Sequence, residues 1–290
     1  TDHECSPSTL RQKFDTLPAA VVEPPPGQGT RDPSYAQNNM RITRQYRSST
    51  DKAIGGVSAS DDLCVLTRLN GAFDGGGERA RLYTQDGAWR IYLVSNSNPI
   101  KAGVTCTKKG LYFDTASGEW VNFQNHDADL SNSPESLGDD PRMSALMGMN
   151  GAINGGGERG RIKFRDGKAD QLHVSSNAGK PLQAFALSFG VANPVSGQPE
   201  FDIASTSVTV ENGPYEREKV EALNMAAKEG ICFLTRVEGP MDGGGEQAFV
   251  YIKDGQWQLK VTGLYTFNMP SAKQPKATAT CYGYDQQSAP

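Results

Sequence analysis

CVLTRLNGAFDGGGERARLYTQDGAW, residues Cys64 to Trp89, is answered twice later in the chain, by SALMGMNGAINGGGERGRIKFRDGKA from Ser144 and CFLTRVEGPMDGGGEQAFVYIKDGQW from Cys232. The glycine triplets open at Gly75, Gly155 and Gly243, the same 11 positions from Cys64, Ser144 and Cys232. Asp86, Asp166 and Asp254, each followed by Gly, keep that register. Self-similarity at fixed offsets marks one supersecondary unit used three times.

The unit reads as β structure. After each triplet, Ala80 and Leu82, then Gly160, Ile162 and Phe164, then Ala248, Val250 and Ile252 alternate with Arg79, Arg81, Arg159, Arg161, Gln247 and Phe249. A period of two is a strand with one buried face. Asp-Gly is a strong two-residue hairpin signal, because a type I′ turn needs positive φ at both central positions. A third strand follows at Trp89 to Val94, Lys168 to Val174 and Trp257 to Val261, and a fourth at Gly103 to Lys108, Gln183 to Ser188 and Ala277 to Tyr282. The expected fold is mostly β: three tandem repeats of a four-stranded antiparallel module, packed with pseudo-threefold symmetry, the alternative being three separate beads on a string. A lone four-stranded unit leaves one apolar face uncovered.

Cysteine placement tests this register independently. Copies one and three carry Cys64 with Cys106 and Cys232 with Cys281, whereas copy two has Ser144 and, by counting from its triplet, Ala186. Joint presence and joint absence predict the disulfides Cys64–Cys106 and Cys232–Cys281, linking first strand to fourth. Each contributes about 4 kcal/mol in the chain-entropy model. Disulfides imply an oxidising compartment, secreted or at the cell surface. Cys5 has no assigned partner.

The 290 residues carry a net charge of −4, and no run of apolar residues approaches the length of a membrane span. Nothing in that balance attracts nucleic acid. The 32 Gly and 17 Pro favour turns and short strands. Residues 1–60 form an N-terminal arm and linker, with Ser8 to Leu17 expected as a short helix before the proline-rich run at Glu23. The modules are assigned to 61–140, 141–213 and 214–290. Leu111 to Phe123 and Phe201 to Val210 alternate like strands, and Ser131 to Asp140 reads as an acidic loop. Pro214 to Gly230 is expected to be a helix: Pro opens it, Glu216 and Glu218 lie in its first turn, Val220, Leu223 and Ala227 share a face, and Gly230 stops it.

The candidate ligand contacts are Asp74 and Glu78 with Asp242 and Glu246, flanking the triplets, together with Arg68, Arg236, Trp89 and Trp257. Glycines permit a tight connection or let a ligand approach the backbone, and the acids accept backbone N–H bonds, bind sugar hydroxyls, or hold Ca²⁺ weakly. The tryptophans belong to the core or, if exposed, stack on a sugar ring. Copy two has Gly148 and Ala169 where the others have Arg and Trp, so it is expected to act as a spacer. His3, His126 and His173 lie in no metal-ligand spacing, no nucleophile motif is present, and no other cofactor is expected.

The leading expectation is an exported, non-enzymatic, adhesin- or lectin-like protein that recognises a surface glycan or surface protein, repetition raising avidity. One alternative is the tip or another structural component of a surface fibre, pilus or phage tail, docked through the N-terminal arm. A second is a hydrolase of a surface polymer, using carboxylates that meet across modules. Triplets that cluster would imply one shared axial site; dispersed triplets would imply separate sites.

Overall fold

A computed structural model describes residues 40–47, 50–73, 77–95, 99–108, 120–137, 143–153, 158–165, 168–176, 181–191, 205–211, 217–241, 245–263 and 274–283. The expected helix at Ser8 to Leu17 and Cys5 lie outside these residues. The described chain is all strand and turn.

The first six strands are β1 (Met40–Arg47), β2 (Thr50–Ala53), β3 (Asp62–Asn70), β4 (Arg79–Gln85), β5 (Ala88–Val94) and β6 (Lys101–Lys108). Next come β7 (Trp120–Asp129), β8 (Glu135–Ser136), β9 (Met143–Gly151), β10 (Arg159–Arg165), β11 (Lys168–Ser175) and β12 (Leu182–Val191). The last six are β13 (Ser205–Glu211), β14 (Glu218–Ala226), β15 (Gly230–Glu238), β16 (Gln247–Lys253), β17 (Gln256–Thr262) and β18 (Lys276–Gly283). They form three antiparallel six-stranded sheets, ordered β1-β6-β3-β16-β17-β14, β2-β5-β4-β9-β12-β7 and β13-β18-β15-β10-β11-β8.

This order differs from four strands in one sheet per copy. The first and fourth strands of a copy pair with each other, as in β3 with β6, but its hairpin leaves for another sheet. β4–β5 joins β9 of copy two, β10–β11 joins β15 of copy three, and β16–β17 joins β3 of copy one. Each transfer makes the same three pairings: Arg79↔Asn150 to Arg81↔Gly148, Arg159↔Glu238 to Arg161↔Arg236, and Gln247↔Asn70 to Phe249↔Arg68. One apolar cluster spans all three copies, including Leu66, Leu146 and Leu234 with Phe73, Ile153 and Met241. A hairpin that leaves its own first strand covers its apolar face against another copy.

The first and third hairpins form as their turns require, while the expected turn at Asp166 lies outside the described residues. Asp86 and Gly87 have φ of 51° and 72°, and Asp254 and Gly255 have 51° and 75°. Both disulfides form as expected, Cys64–Cys106 and Cys232–Cys281, each between directly paired residues.

Copy two departs from the sequence count. Ser144 lies opposite Ser188, not Ala186, and the two hydroxyls are 2.9 Å apart. Ala186 instead faces Leu146. The segment before β12 is two residues longer than the one before β6, since Lys101 and Gln183 pair with the equivalent Asn70 and Asn150. A hydrogen bond thus replaces the disulfide in copy two.

The helix expected at Pro214 to Gly230 is overturned by strand β14, followed by a turn at 227–229. Of the expected apolar face, Leu223 and Ala227 are buried but Val220 is 39% exposed. β14 fills the edge beside β17, where backbone pairing outweighs helix propensity. Its charges suit an edge, with Glu218 paired to Lys260 at 2.6 Å. The strand-like segments 111–123 and 201–210 are strands where described, as β7 and β13. The loop expected at Ser131 to Asp140 contains the two-residue strand β8.

Candidate functional site

The residues two positions before the three glycine triplets form one buried ring. Phe73 N–H donates to the carbonyl of Met241, Met241 N–H to that of Ile153 at 2.5 Å, and Ile153 N–H to that of Phe73 at 2.6 Å. These residues stand two positions before the first glycine of each triplet and are at most 1% exposed. The chain is therefore drawn together at Phe73, Ile153 and Met241, whereas Asp74 and Asp242, with residues 75–76, 154–157 and 243–244, lie outside the described residues.

A second cyclic set follows the triplets. Gly151 N–H donates to the carbonyl of Glu78 at 2.8 Å, Gly239 to that of Glu158 at 3.1 Å, and Gly71 to that of Glu246 at 3.1 Å. Gly71, Gly151 and Gly239 have φ of 111°, 103° and 95°, and a Cβ on any of them would run into a backbone carbonyl of the loop before the fourth strand. Glu78, Glu158 and Glu246 are at most 2% exposed, and none lacks a partner. In this conformation the two candidate acids Glu78 and Glu246 face the interior, not a ligand in solvent. Among the described residues, no group of three or more His, Cys, Asp or Glu is placed to hold a metal ion.

Trp89 and Trp257 are fully buried, with indole N–H groups donating at 2.9 Å to the carbonyls of Asp62 and Gly230. Of their two readings, the core is where they lie, and stacking on a sugar is closed to both. Ala169 is also buried in the equivalent place.

The remaining candidates, Arg68 and Arg236, sit on outer sheet faces at the seams where one copy's hairpin joins another copy. Directly paired residues across an antiparallel sheet point to the same side. Each seam therefore presents a row of side chains. The first is Lys260, Phe249, Arg68, Gly103; the second is Tyr92, Arg81, Gly148, Phe185; the third is His173, Arg161, Arg236, Thr278. In the first two rows one Arg lies over a Phe and a Gly makes the space. The Arg68 guanidinium is 5.0 Å from the Phe249 ring centre, and Arg81 is 4.3 Å from that of Phe185. A Cβ at Gly103 would stand 2.8 Å from the Cβ of Arg68, and one at Gly148 would be 2.7 Å from the Cα of Arg81.

The first row continues into an aromatic ledge. Phe249 and Tyr251 are stacked with ring centres 5.0 Å apart. Arg68 Nη2 donates to Gln247 Oε1 at 2.7 Å, Gln247 Nε2 to Thr262 Oγ1 at 3.0 Å, and Tyr251 O–H to Gln258 Oε1 at 2.8 Å. Burial lowers the Arg68 and Arg81 pKa values from the ordinary guanidinium range, Asp127 opposing the effect at Arg81. Both remain charged at neutral pH. Sequence reading missed Phe249, Tyr251 and Arg81, because their alternation marks them as outward-facing without naming the neighbour the exchange supplies. No family model and no curated relative matches the chain.

Proposed function

We propose that this chain is an exported, non-enzymatic, lectin-like binding protein with a pseudo-threefold body built from the three sequence copies, and that it recognises a glycan of a cell surface. The observation that carries this reading is the ledge of Arg68, Phe249 and Tyr251 with Gln247 and Gln258 along it. Half-buried rings offer apolar surface to a sugar, while the amides and the guanidinium bond its hydroxyls. The two disulfides are compatible with an oxidising, extracellular compartment.

The test is binding of the full chain to immobilised glycans and intact cells, with Phe249→Ala and Tyr251→Ala compared to the parent. A ring contact of about 1.5 kcal/mol corresponds to about tenfold in Kd, and each variant is expected to lose that much while keeping the parent's melting transition. Glycan binding unchanged in both variants removes the ledge from the reading. A parent that binds no glycan or cell, yet assembles with a fibre subunit, replaces the reading with a structural role.

A further inference from the structure

The third seam breaks the pattern of the other two. Where they set one Arg against an aromatic ring and a Gly, it sets Arg161 directly opposite Arg236, with no ring between them, and His173 opposite Arg161 on the other side. Arg159 and Lys163 alternate with buried Gly160 and Ile162 on β10, so they share the outer face. Like charges in direct cross-strand register repel. Among the described residues their carboxylate partner is Glu238 in the neighbouring row, which meets Arg159 at 3.6 Å and pairs closely with Arg236. No carboxylate pairs with Arg161 among the described residues, and its Nε, Arg159 Nε and His173 Nδ1 are buried without a hydrogen-bond partner. This concentration of positive charge stands on a chain whose net charge is −4.

The row then runs into hydroxyls. Arg236 is paired with Thr278, and Thr278 with Thr209, whose hydroxyls are 2.8 Å apart on the outer face. Five strands, from His173 on β11 to Thr209 on β13, span about 19 Å at the usual inter-strand spacing. Planar guanidinium groups match the geometry of an oxyanion, and threonine hydroxyls both donate to and accept from sugar hydroxyls.

We infer that the row His173, Arg161, Arg236, Thr278, Thr209 binds an acidic saccharide, with the two guanidiniums holding a sulfate or carboxylate group and the threonines engaging the adjoining sugar. The inference rests on the glycan-binding reading above and narrows its ligand class at a separate face. It also gives copy two, through Arg161 and His173, a part in binding beyond that of a spacer. Burial, followed by the charges of Lys163, Arg161 and Arg159, pushes the His173 imidazole down to about 4. A bound anion would reverse the charge part of that effect.

The probes are a heparin-derived tetrasaccharide, its desulfated counterpart, inorganic sulfate, and a single-stranded oligonucleotide of matching charge. Each is titrated into the full chain by calorimetry, with the His173 ring followed by NMR. The tetrasaccharide is expected to bind and to raise the His173 pKa, and the other three probes to bind at least about tenfold more weakly. Loss of a charge-assisted bond predicts that Arg161→Gln and Arg236→Gln each weaken the tetrasaccharide by about tenfold or more. Arg161→Lys is expected to restore part of the loss, and Arg81→Gln at the second seam to change nothing.

Tetrasaccharide binding that survives both Arg→Gln changes, or falls equally with Arg81→Gln, overturns the site in favour of diffuse charge. Equal binding of inorganic sulfate reduces it to an adventitious ion only, and equal binding of the oligonucleotide to a generic polyanion surface; either overturns the assignment. A chain that ignores the tetrasaccharide while binding neutral glycans through Tyr251 loses this inference alone. One that binds no glycan loses both readings.

Discussion

At the scale of single residues, position in the fold decides what a side chain can do, and two comparisons test this. Gly71 and Gly87 both have positive φ, but a Cβ on Gly71 would lie 2.5 Å from the carbonyl oxygen of Pro99, whereas one on Gly87 would meet nothing within 4 Å. Gly87→Ala is expected to cost about 1–2 kcal/mol from backbone strain alone. Gly71→Ala is expected to cost clearly more, because the loop before β6 must also move; denaturant unfolding of both variants checks the order. The second comparison concerns pH. Burial first, then Lys163, Arg161 and Arg159 on β10, hold the folded His173 at about 4, while Glu135 on the neighbouring β8 is engaged with His126. An unfolded imidazole titrates near 6.5, so between about 4 and 6.5 the unfolded chain binds more protons. Stability should therefore rise with pH through that window and fall on acidification. His126 is also lowered by burial, with Glu135 opposing, and adds to the same slope. His173→Gln is expected to flatten the slope in part, measured as melting temperature against pH.

Among elements, the fourth strand of copy two shows how a loop length shifts an alignment. Counting from the triplet points to Ala186, but the ladder sets Ser188 against Ser144, with their hydroxyls 2.9 Å apart. Ser144→Cys with Ser188→Cys is therefore expected to close a third disulfide on oxidation, stabilising the chain by up to about 4 kcal/mol. Ser144→Cys with Ala186→Cys should stay reduced in the folded protein. Thiol titration and melting of the two double variants separate these registers. Strand β14 carries a different lesson. The segment from Pro214 to Gly230 that contains it spells a helix locally, and only the open edge of the β16–β17 hairpin makes a strand the better use of the backbone donors and acceptors of β14.

For the whole molecule, the exchange of hairpins makes the three copies interdependent. β3 lacks its second neighbour without β16, and the β4–β5 hairpin lacks its support without β9. A fragment of residues 40–108 is therefore expected to be unfolded as a monomer, whereas a cooperative monomeric transition by circular dichroism would show that a copy closes on itself. Much of the local plan was legible in the sequence. The alternation from Arg79 onward, the Asp-Gly turns at Asp86 and Asp254 and the paired cysteines each encode strand, hairpin and disulfide through short-range geometry. What the sequence could not assign was which first strand each hairpin joins, because a period of two specifies a buried face and not the partner that buries it. That choice sets Arg68 beside Phe249, Arg81 over Phe185 and Arg161 opposite Arg236, while it sends Trp89 and Trp257 into the core. Local patterning determined the strands of this protein; tertiary pairing alone decided its outer faces, because each seam takes side chains from two copies at once.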